Sequence, residues 1–412
     1  MTPAAEAEAI ILAAITPFAA PADQETISVE AAPGRILAAD ITSPLDFPHW
    51  DNSAMDGYAV RYSDVRAAST QPVTLEVVEE IPAGQPPEKS LAPGQAARIL
   101  TGSMMPTGAD TVVIQEVTQR QGNRVTVLES PQPQQFVRSR GSYLPAQAQL
   151  MAAGTAIGAA EVAVLAAAQR GQVAVYRRPR VAILSTGSEL VGVNQPLQPG
   201  QIVDSNQYAL TALVRQAGAV PVPLGVVPDE PEQLRQAIIT AMTQADVVVS
   251  SGGVSVGDYD YVDEILGSLS AQILIRSVAV KPGKPLTVAQ LRNRLYFGLP
   301  GNPASAMVSF WRFVAPALAK LAGAVHSPLQ FLPALSRDAL KAGGKRETYL
   351  WGQLAVTEAG YEFRLAAGGH SSGNLINLVG TNALAVVPIG TTQIAPGSPV
   401  QVMRVDTCNA MA

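Results

Sequence analysis

Cysteine is almost absent from this chain: Cys408 is the only one, and histidine occurs three times in 412 residues. A single cysteine excludes a disulfide framework or a cysteine-ligated metal cluster within one chain. The position of Cys408 near the C-terminal end fits a frayed tail better than a nucleophile. Charge is sparse too, at 15% of residues with a net value of −5. No basic excess is available to neutralise nucleic-acid phosphates. Long apolar runs are missing. The most apolar stretch, Met151 to Ala168, is built from alanine and interrupted by Gly154, Gly158 and Glu161, so it reads as a packed helix and not a bilayer span. Glu6 and Glu8 stand where a secretory signal needs a basic segment and then an apolar run. The expectation is a soluble, cytoplasmic protein with no nucleic-acid or membrane partner. What the chain does have is apolar residues, 47% of the total, in a length at which single cores split into two to four domains.

The stretch from Asp246 to Tyr261, DVVVSSGGVSVGDYDY, organises the rest. Val247-Val248-Val249 is a short β-branched run and reads as a buried strand. Ser250-Ser251-Gly252-Gly253 follows at once, then Gly257, Asp258 and Asp260. Glycines just past a strand let the backbone turn and bring its N–H groups up to an anion. Carboxylates beside such a loop would repel a bare phosphate unless a divalent metal lay between, which points to a phosphorylated ligand with Mg²⁺. Taken alone, the loop reads equally well as an ordinary glycine-rich connection.

Ala4 to Phe18 has helical spacing, with Ile10, Ile11, Ala14 and Ile15 on one side, and Thr26 to Ala39 repeats the pattern weakly. Asp46 to Tyr143 changes character: Val73–Val78, Ala97–Leu100, Thr111–Glu116 and Arg124–Leu128 are short β-rich segments between Pro/Gly turns. An inserted all-β domain is expected there. Pro145 to Val175 returns to an extended piece and a helix. From Arg180 strands and helices alternate, with strands at Val181–Leu184, Val220–Val226, Val247–Ser250, Ile273–Val278 and Leu295–Leu299, and helices at Tyr208–Gln216, Pro231–Thr243, Tyr261–Leu269 and Pro303–Leu321. This alternation marks an open α/β sheet covered on both faces, which binds ligands beyond the carboxyl ends of its strands. Ser185-Thr186-Gly187-Ser188-Glu189, Ser250-Ser251-Gly252-Gly253 and Leu299-Pro300-Gly301-Asn302-Pro303 all fall on that edge. After Pro328 the pattern is β again, interrupted at Gly368–Gly373 by His370, Ser371 and Ser372.

Further motifs carry polar chemistry. Asp51 to Val60, DNSAMDGYAV, has nothing of a strand or helix core and fits a binding surface or a solvated turn. Val280 to Leu286, VKPGKPL, sets Lys281 and Lys284 between prolines that stiffen the backbone. Two fixed cations can hold an oxyanion, or serve as surface charge. DNSAMDGYAV, RILTGSMMPTGAD, STGSEL, SSGGVSVGDYDY, KPGKP and GLPGNPASA, in this order, resemble the molybdopterin molybdenumtransferase family (MoeA-type, including the E domain of gephyrin). The resemblance runs from about Thr26 into the C-terminal β region.

That resemblance implies a domain plan and a reaction. The plan is a discontinuous linker domain (23–45 and 145–176), an inserted β domain (46–144), an α/β molybdopterin-binding domain (1–22 and 177–327) and a C-terminal, barrel-like β domain (328–406). The reaction is insertion of molybdenum from molybdate into adenylylated molybdopterin with release of AMP. Mg²⁺ is implied, as is an elongated homodimer whose cleft joins the α/β domain of one subunit to the β domains of the other; a molybdopterin adenylyltransferase is a further possible partner. Molybdate is a dianion and needs fixed cations and donors. Lys281 and Lys284 are the leading candidates, with Arg346, Ser372 and Ser305 closing the pocket and Pro300 and Gly301 shaping it. Ser250, Gly252 and Gly253 would meet the nucleotide. Glu189, Asp229 and Asp260 match acids around the pyrophosphate, one or two of them holding Mg²⁺ through water. Asp229, in Pro228-Asp229-Glu230-Pro231, reads equally as a helix N-cap. Asp56, Thr101 and Arg138 match family positions on the β side; for the Arg138–Arg140 cluster a solvated β edge is as good a reading.

The sequence departs from the family at Ser142 and Tyr143, where acids are common, at Trp351, where a second arginine is common, and at Ser277, where a lysine is common. A scaffolding role without catalysis would normally bring extra domains or long linkers, and the acids Glu189, Asp229 and Asp260 are kept here. The related adenylyltransferase shares the α/β domain but is a single small domain, so the β segments argue against it.

Overall fold

The computed structural model describes residues 1–253, 261–358 and 360–405. The chain divides into two compact units, one formed by Met1–Ala39, Gly154–Val162 and the chain from Gln172 onward, the other by Asp40–Ala153 and Ala163–Gly171.

The first unit is built on a 6-stranded sheet. Its strands are β1 (Arg180–Thr186), β2 (Val220–Val227), β3 (Val247–Ser251), β4 (Gln272–Ser277), β5 (Pro285–Leu291) and β6 (Arg294–Leu299), in the spatial order β2-β1-β3-β6-β5-β4. The first four in that order run parallel, and the β6–β5–β4 edge is antiparallel. Helices α1 (Ala4–Ala13), α2 (Ser205–Gln216), α3 (Pro231–Gln244), α4 (Tyr261–Ser268), α5 (Pro303–Ser309) and α6 (Ala315–Leu321) cover both faces. Strand periodicity decides which helix meets which residue. Val181, Ile183, Val247 and Val249 pack with α1, α2 and α5, through Ile11, Leu210 and Ala304 among others. Ala182, Leu184 and Val248 face the other way, against Leu234 and Ile238 of α3 and Val262 and Ile265 of α4. Helix α2 begins three residues before the sequence expectation because Asp204 caps it, accepting from the Gln207 N–H at 3.1 Å.

Strand β5 is a correction, since the sequence reading passed from Ile273–Val278 directly to Leu295–Leu299. It pairs with β6 through a tight turn at Arg292 and Asn293, both with positive φ (49° and 64°). Arg-Asn is a turn that composition signals only weakly. Thr26–Ala39 is a second correction. Gln24–Ser28 is a strand paired antiparallel with Gln172–Tyr176, followed by one 3₁₀ turn at Val29–Ala31. Pro33-Gly34 ends any helix there before it completes two turns. The expected helix Pro303–Leu321 is α5 and α6 joined by a π-turn at Phe310–Val314.

Beyond α6 the chain forms a closed barrel from β7 (Phe331–Ser336), β8 (Glu347–Thr357), β9 (Gly360–Leu365), β10 (Ala383–Val387) and β11 (Pro399–Arg404). The ring closes because β8 pairs with both β9 and β10. Val280–Lys281 then adds to β8 as a short parallel strand, in register with Glu347 and Thr348. Backbone pairing therefore brings the lysine motif against the barrel.

The second unit carries a 6-stranded sheet ordered Thr111–Ile114, Gly57–Val60, Gln95–Ile99, Val73–Ile81, Arg124–Val127 and Thr118–Gln121. Gly57–Val60 is fully buried between its neighbours, which corrects the reading of DNSAMDGYAV as having no strand core. Gly57 is required: a Cβ there would lie 2.0 Å from the Val113 carbonyl oxygen. Among the described residues no helix is long and apolar enough to cross a membrane.

Candidate active site

At the carboxyl ends of β1, β3 and β6 the first unit opens into a cleft of about 1260 Å³. Its floor is a contact between two backbones. The Gly252 N–H donates to the Leu299 carbonyl at 3.1 Å, and a Cβ on Gly301 would come 3.6 Å from the Gly252 Cα. Gly252 has φ +92°, and a Cβ there would meet the Thr186 carbonyl at 2.4 Å, so the turn after β3 requires glycine. Asn206, in the first turn of α2, ties the floor together by donating to the Ser251 hydroxyl at 2.6 Å and to the Gly301 carbonyl at 2.7 Å.

One side of the cleft is acidic. Glu189 and Asp229 both line it, as does the capping residue Asp204. Asp229 does not cap α3; the residue at that cap is Glu230, which makes no side-chain capping bond. Instead the Asp229 carboxylate accepts from the Ser188 N–H at 3.3 Å, across the β1 and β2 ends. Of its two readings the N-cap is thus excluded.

The other side is basic. Lys281, Lys284, Lys341 and Arg346 line it. Among the described residues none of these four is in an ion pair. Arg346 is anchored through Nη1 to the Val280 carbonyl at 3.2 Å, which places it beside the lysine motif. Pro300, Ser305 and Ser372 complete this side. Ser372 accepts from Asn302 Nδ2 at 3.1 Å, and its carbonyl accepts the Ala304 N–H at 3.1 Å, so the loop from the barrel is fastened to the start of α5. Unpaired cations facing an aqueous cleft hold a standing positive potential and attract an anion.

His370 also lines the cleft. Its ring lies on Trp351 with centroids 4.4 Å apart, and Nε2 donates to the Ala366 carbonyl at 3.3 Å. Burial pushes the imidazole below its usual range, against the upward pull of that hydrogen bond. Trp351, which stands where the family often has arginine, is fully buried and donates from Nε1 to Asn377 at 3.0 Å.

Three comparisons with known proteins bear on this cleft. Family models match in sequence along the chain: the MoeA N-terminal region (domain I and II) over residues 2–168, a probable molybdopterin binding domain over 182–320, and the MoeA C-terminal region (domain IV) over 333–405. A molybdopterin molybdenumtransferase of Nostoc sp. is 58% identical over 388 residues, covering 93% of this chain and 89% of that protein. The chain belongs to the molybdopterin molybdenumtransferase family. A Haemophilus influenzae member is 37% identical over 83% of this chain and 86% of its own length. The crystal structure of the molybdopterin biosynthesis MoeA protein from Pyrococcus horikoshii OT3 superposes with a TM-score of 0.84 at 28% identity, covering 98% of this chain and 100% of that one.

With the family established, the positions expected from the sequence sort into groups. Glu189, Asp229, Gly252, Gly253, Lys281, Lys284, Pro300, Gly301, Ser305, Arg346 and Ser372 all meet in the cleft. Asp260 lies outside the described residues, as do Gly257, Asp258 and Cys408. Ser250 is a correction. It is fully buried with its hydroxyl 2.5 Å from that of Tyr296, on the α3–α4 face of the sheet. Because side chains alternate along a strand, its neighbour Ser251 reaches the cleft instead.

Asp56, Thr101 and Arg138 belong to the second unit. The Thr101 N–H and hydroxyl both donate to the same Asp56 oxygen, each at 2.7 Å. These two bonds, backbone first, hold the Asp56 carboxyl below the usual range. Arg138 sits in a short strand paired with Asn52. Arg140 is taken by Asp46 at 2.6 Å, whereas Arg138 has no ion pair among the described residues.

The sequence reading missed Asn206, Asp204 and Lys341 as cleft residues, whereas Thr186 falls in the segment it placed on the binding edge. Thr186 is 5% exposed and its hydroxyl has no hydrogen-bond partner among the described residues. A signal was present for the first two, since Asp204-Ser205-Asn206 marks a helix start aimed along the same sheet edge. Lys341 gave none.

Proposed function

We propose that this chain carries out the last step of molybdenum cofactor assembly, moving molybdenum from molybdate onto the dithiolene sulfurs of adenylylated molybdopterin and releasing AMP. The observation that carries the reading is the division of one cleft into a basic wall, whose cations form no ion pair among the described residues, and an acidic wall beside a glycine turn. In this reading Lys281, Lys284 and Arg346 hold the molybdate dianion, with Ser305 and Ser372 as hydrogen-bond donors. The glycine turn at Gly252 and Gly253 lets the phosphates approach the main chain, where no side chain obstructs them. The Thr186 hydroxyl, buried and without a hydrogen-bond partner among the described residues, lies against this turn. Fixing oxyanion and pterin nucleotide in one cleft converts an encounter of two solutes into a reaction between held partners.

The acidic wall suits Mg²⁺. That ion keeps several waters and takes one or two carboxylates together with substrate phosphate oxygens, and Glu189 and Asp229 supply such a set. Glu189 and Asp229, with Asp260, would hold Mg²⁺, which when bound offsets charge on the phosphate oxygens as the adenylyl linkage breaks.

The proposal extends to a homodimer in which Asp56, Thr101 and Arg138 serve the cleft of the partner subunit. It also places the reaction in the cytoplasm, downstream of a molybdopterin adenylyltransferase that supplies the nucleotide. Purified protein given adenylylated molybdopterin, molybdate and Mg²⁺ is expected to release AMP in step with cofactor formation. Absence of AMP release with verified substrate would overturn the reading, and light scattering that shows a single subunit would overturn the dimer.

A further inference from the structure

The acidic end of the cleft carries a small apolar rim that serves neither the oxyanion nor the metal. Leu190-Val191 and Ile202-Val203 form a short parallel ribbon, with Leu190 in register with Ile202. Register partners in adjacent strands share a face, and both of these side chains line the cleft. The acids bracket the ribbon. Glu189 precedes Leu190 and accepts the Ile202 N–H at 2.9 Å, and the Asp204 N–H donates to the Val191 carbonyl at 2.9 Å. A Cβ on Gly187 would lie 2.8 Å from Glu189 Oε2 and 2.9 Å from Leu190 Cγ, so carboxylate and leucine flank the same glycine. Ile202 is 54% exposed, the most open apolar side chain of the cleft among the described residues.

Strand order relates this rim to one part of the ligand. The loops that build the cleft follow strands in the order β2-β1-β3-β6. Asp229 and Glu189 therefore stand at one end, Gly252 in the middle, and Pro300 and Ser305 toward the lysines. Strands β1 and β6 are two strand spacings apart, about 10 Å. Adenylylated molybdopterin runs in one line from its dithiolene through two phosphates to ribose and adenine. With the dithiolene at the oxyanion among the lysines and the phosphates at the glycine turn, the adenosine falls past β1, where Leu190 and Ile202 lie. A purine presents broad apolar faces, which aliphatic side chains cover without matching the polar edge of the ring.

We propose that Leu190 and Ile202 form the seat of the adenine ring, so that the nucleotide is held by its base as well as by its phosphates. This inference rests on the reading of the acidic end as the phosphate end of the cleft. It gives an exposed isoleucine inside a polar site an occupant that removes it from water. It also lets the cleft favour the adenylylated pterin over the same pterin without its adenylyl group.

Calorimetric titration with AMP in the presence of Mg²⁺ separates the possibilities. Binding by the unaltered protein that Asp229→Asn weakens carries the phosphate-end reading; if AMP does not bind, or binds Asp229→Asn equally well or better, that reading falls and takes this inference with it. With AMP bound, Ile202→Ser is expected to weaken it about five- to tenfold, the scale of roughly half an aliphatic side chain leaving water. Ile202→Phe keeps an apolar face and should hold AMP as the unaltered protein does. Leu190→Ser should act in the same direction as Ile202→Ser and serves if that variant does not fold. Pyrophosphate with Mg²⁺ lacks the base, so its affinity should not change in Ile202→Ser. Unchanged AMP affinity in Ile202→Ser would put the base elsewhere and overturn the inference. An equal loss for AMP and pyrophosphate, or no recovery in Ile202→Phe, would show that the rim only shapes the phosphate site and would overturn it too.

Discussion

Asn206 and Gly301 are joined by a 2.7 Å hydrogen bond from a side-chain amide to a main-chain carbonyl, and the same nitrogen reaches Ser251 at 2.6 Å. One side chain therefore sets the distance between the turns that follow β3 and β6. Asn206→Ala leaves the buried Ser251 hydroxyl and the Gly301 carbonyl without that donor. It should cost about 1–3 kcal/mol in chemical denaturation and raise KM for the pterin nucleotide more than for molybdate.

Lys281→Ala and Lys284→Ala should have the opposite selectivity. Each removes a cation from the basic wall and leaves the glycine turn intact. Steady-state kinetics should show a rise in KM for molybdate of about tenfold or more, with little change for the nucleotide. A loss shared equally by both substrates would mean that the lysines act on the fold of the cleft.

Asp229 gives a test of role against structure. Because it does not cap α3, Asp229→Asn should shift unfolding free energy by no more than about 0.5 kcal/mol. AMP release should nevertheless fall about a hundredfold if its charge serves the phosphate end of the cleft. A stability loss matching the activity loss would return Asp229 to a structural part.

Stability should fall with acid in two steps. His370 is held below its usual range chiefly by burial, so its contribution is full above about pH 6.5 and is lost as pH falls toward its folded value. Asp246 is lowered on balance: burial pushes it up, but the bidentate bonds from Arg177 and the Arg180 N–H outweigh that. Its contribution is full above about pH 3.9 and disappears as pH drops through the lower folded value. Denaturation across pH should show the first step removed by His370→Gln and the second reduced by Asp246→Asn, with Asp46, Asp56 and Glu362, also held below the usual carboxylate range, accounting for what is left.

Gly252→Ala should be severe. A β-carbon would meet the Thr186 carbonyl at 2.4 Å in a backbone with φ +92°. A loss of about 2 kcal/mol or more is expected in chemical denaturation, with nucleotide binding lost together with it.

Much of this protein was written locally. Apolar alternation and helical spacing from Arg180 onward determined the α/β sheet, because burial on both faces demands continuous β-branched strands such as Val247–Val249. Small residues after β1, β3 and β6 marked the binding edge, since strand ends leave backbone groups free to meet a ligand. Tertiary structure alone decided the rest. It chose Ser251 over Ser250, because the pleat and not the residue type sets which hydroxyl faces the cleft. It brought Lys281 beside Arg346 by a short ladder onto the barrel. It also tied Glu8 to Tyr349 through Arg312, across 304 and 37 positions of chain. Such contacts depend on where distant elements pack, and no local periodicity encodes that.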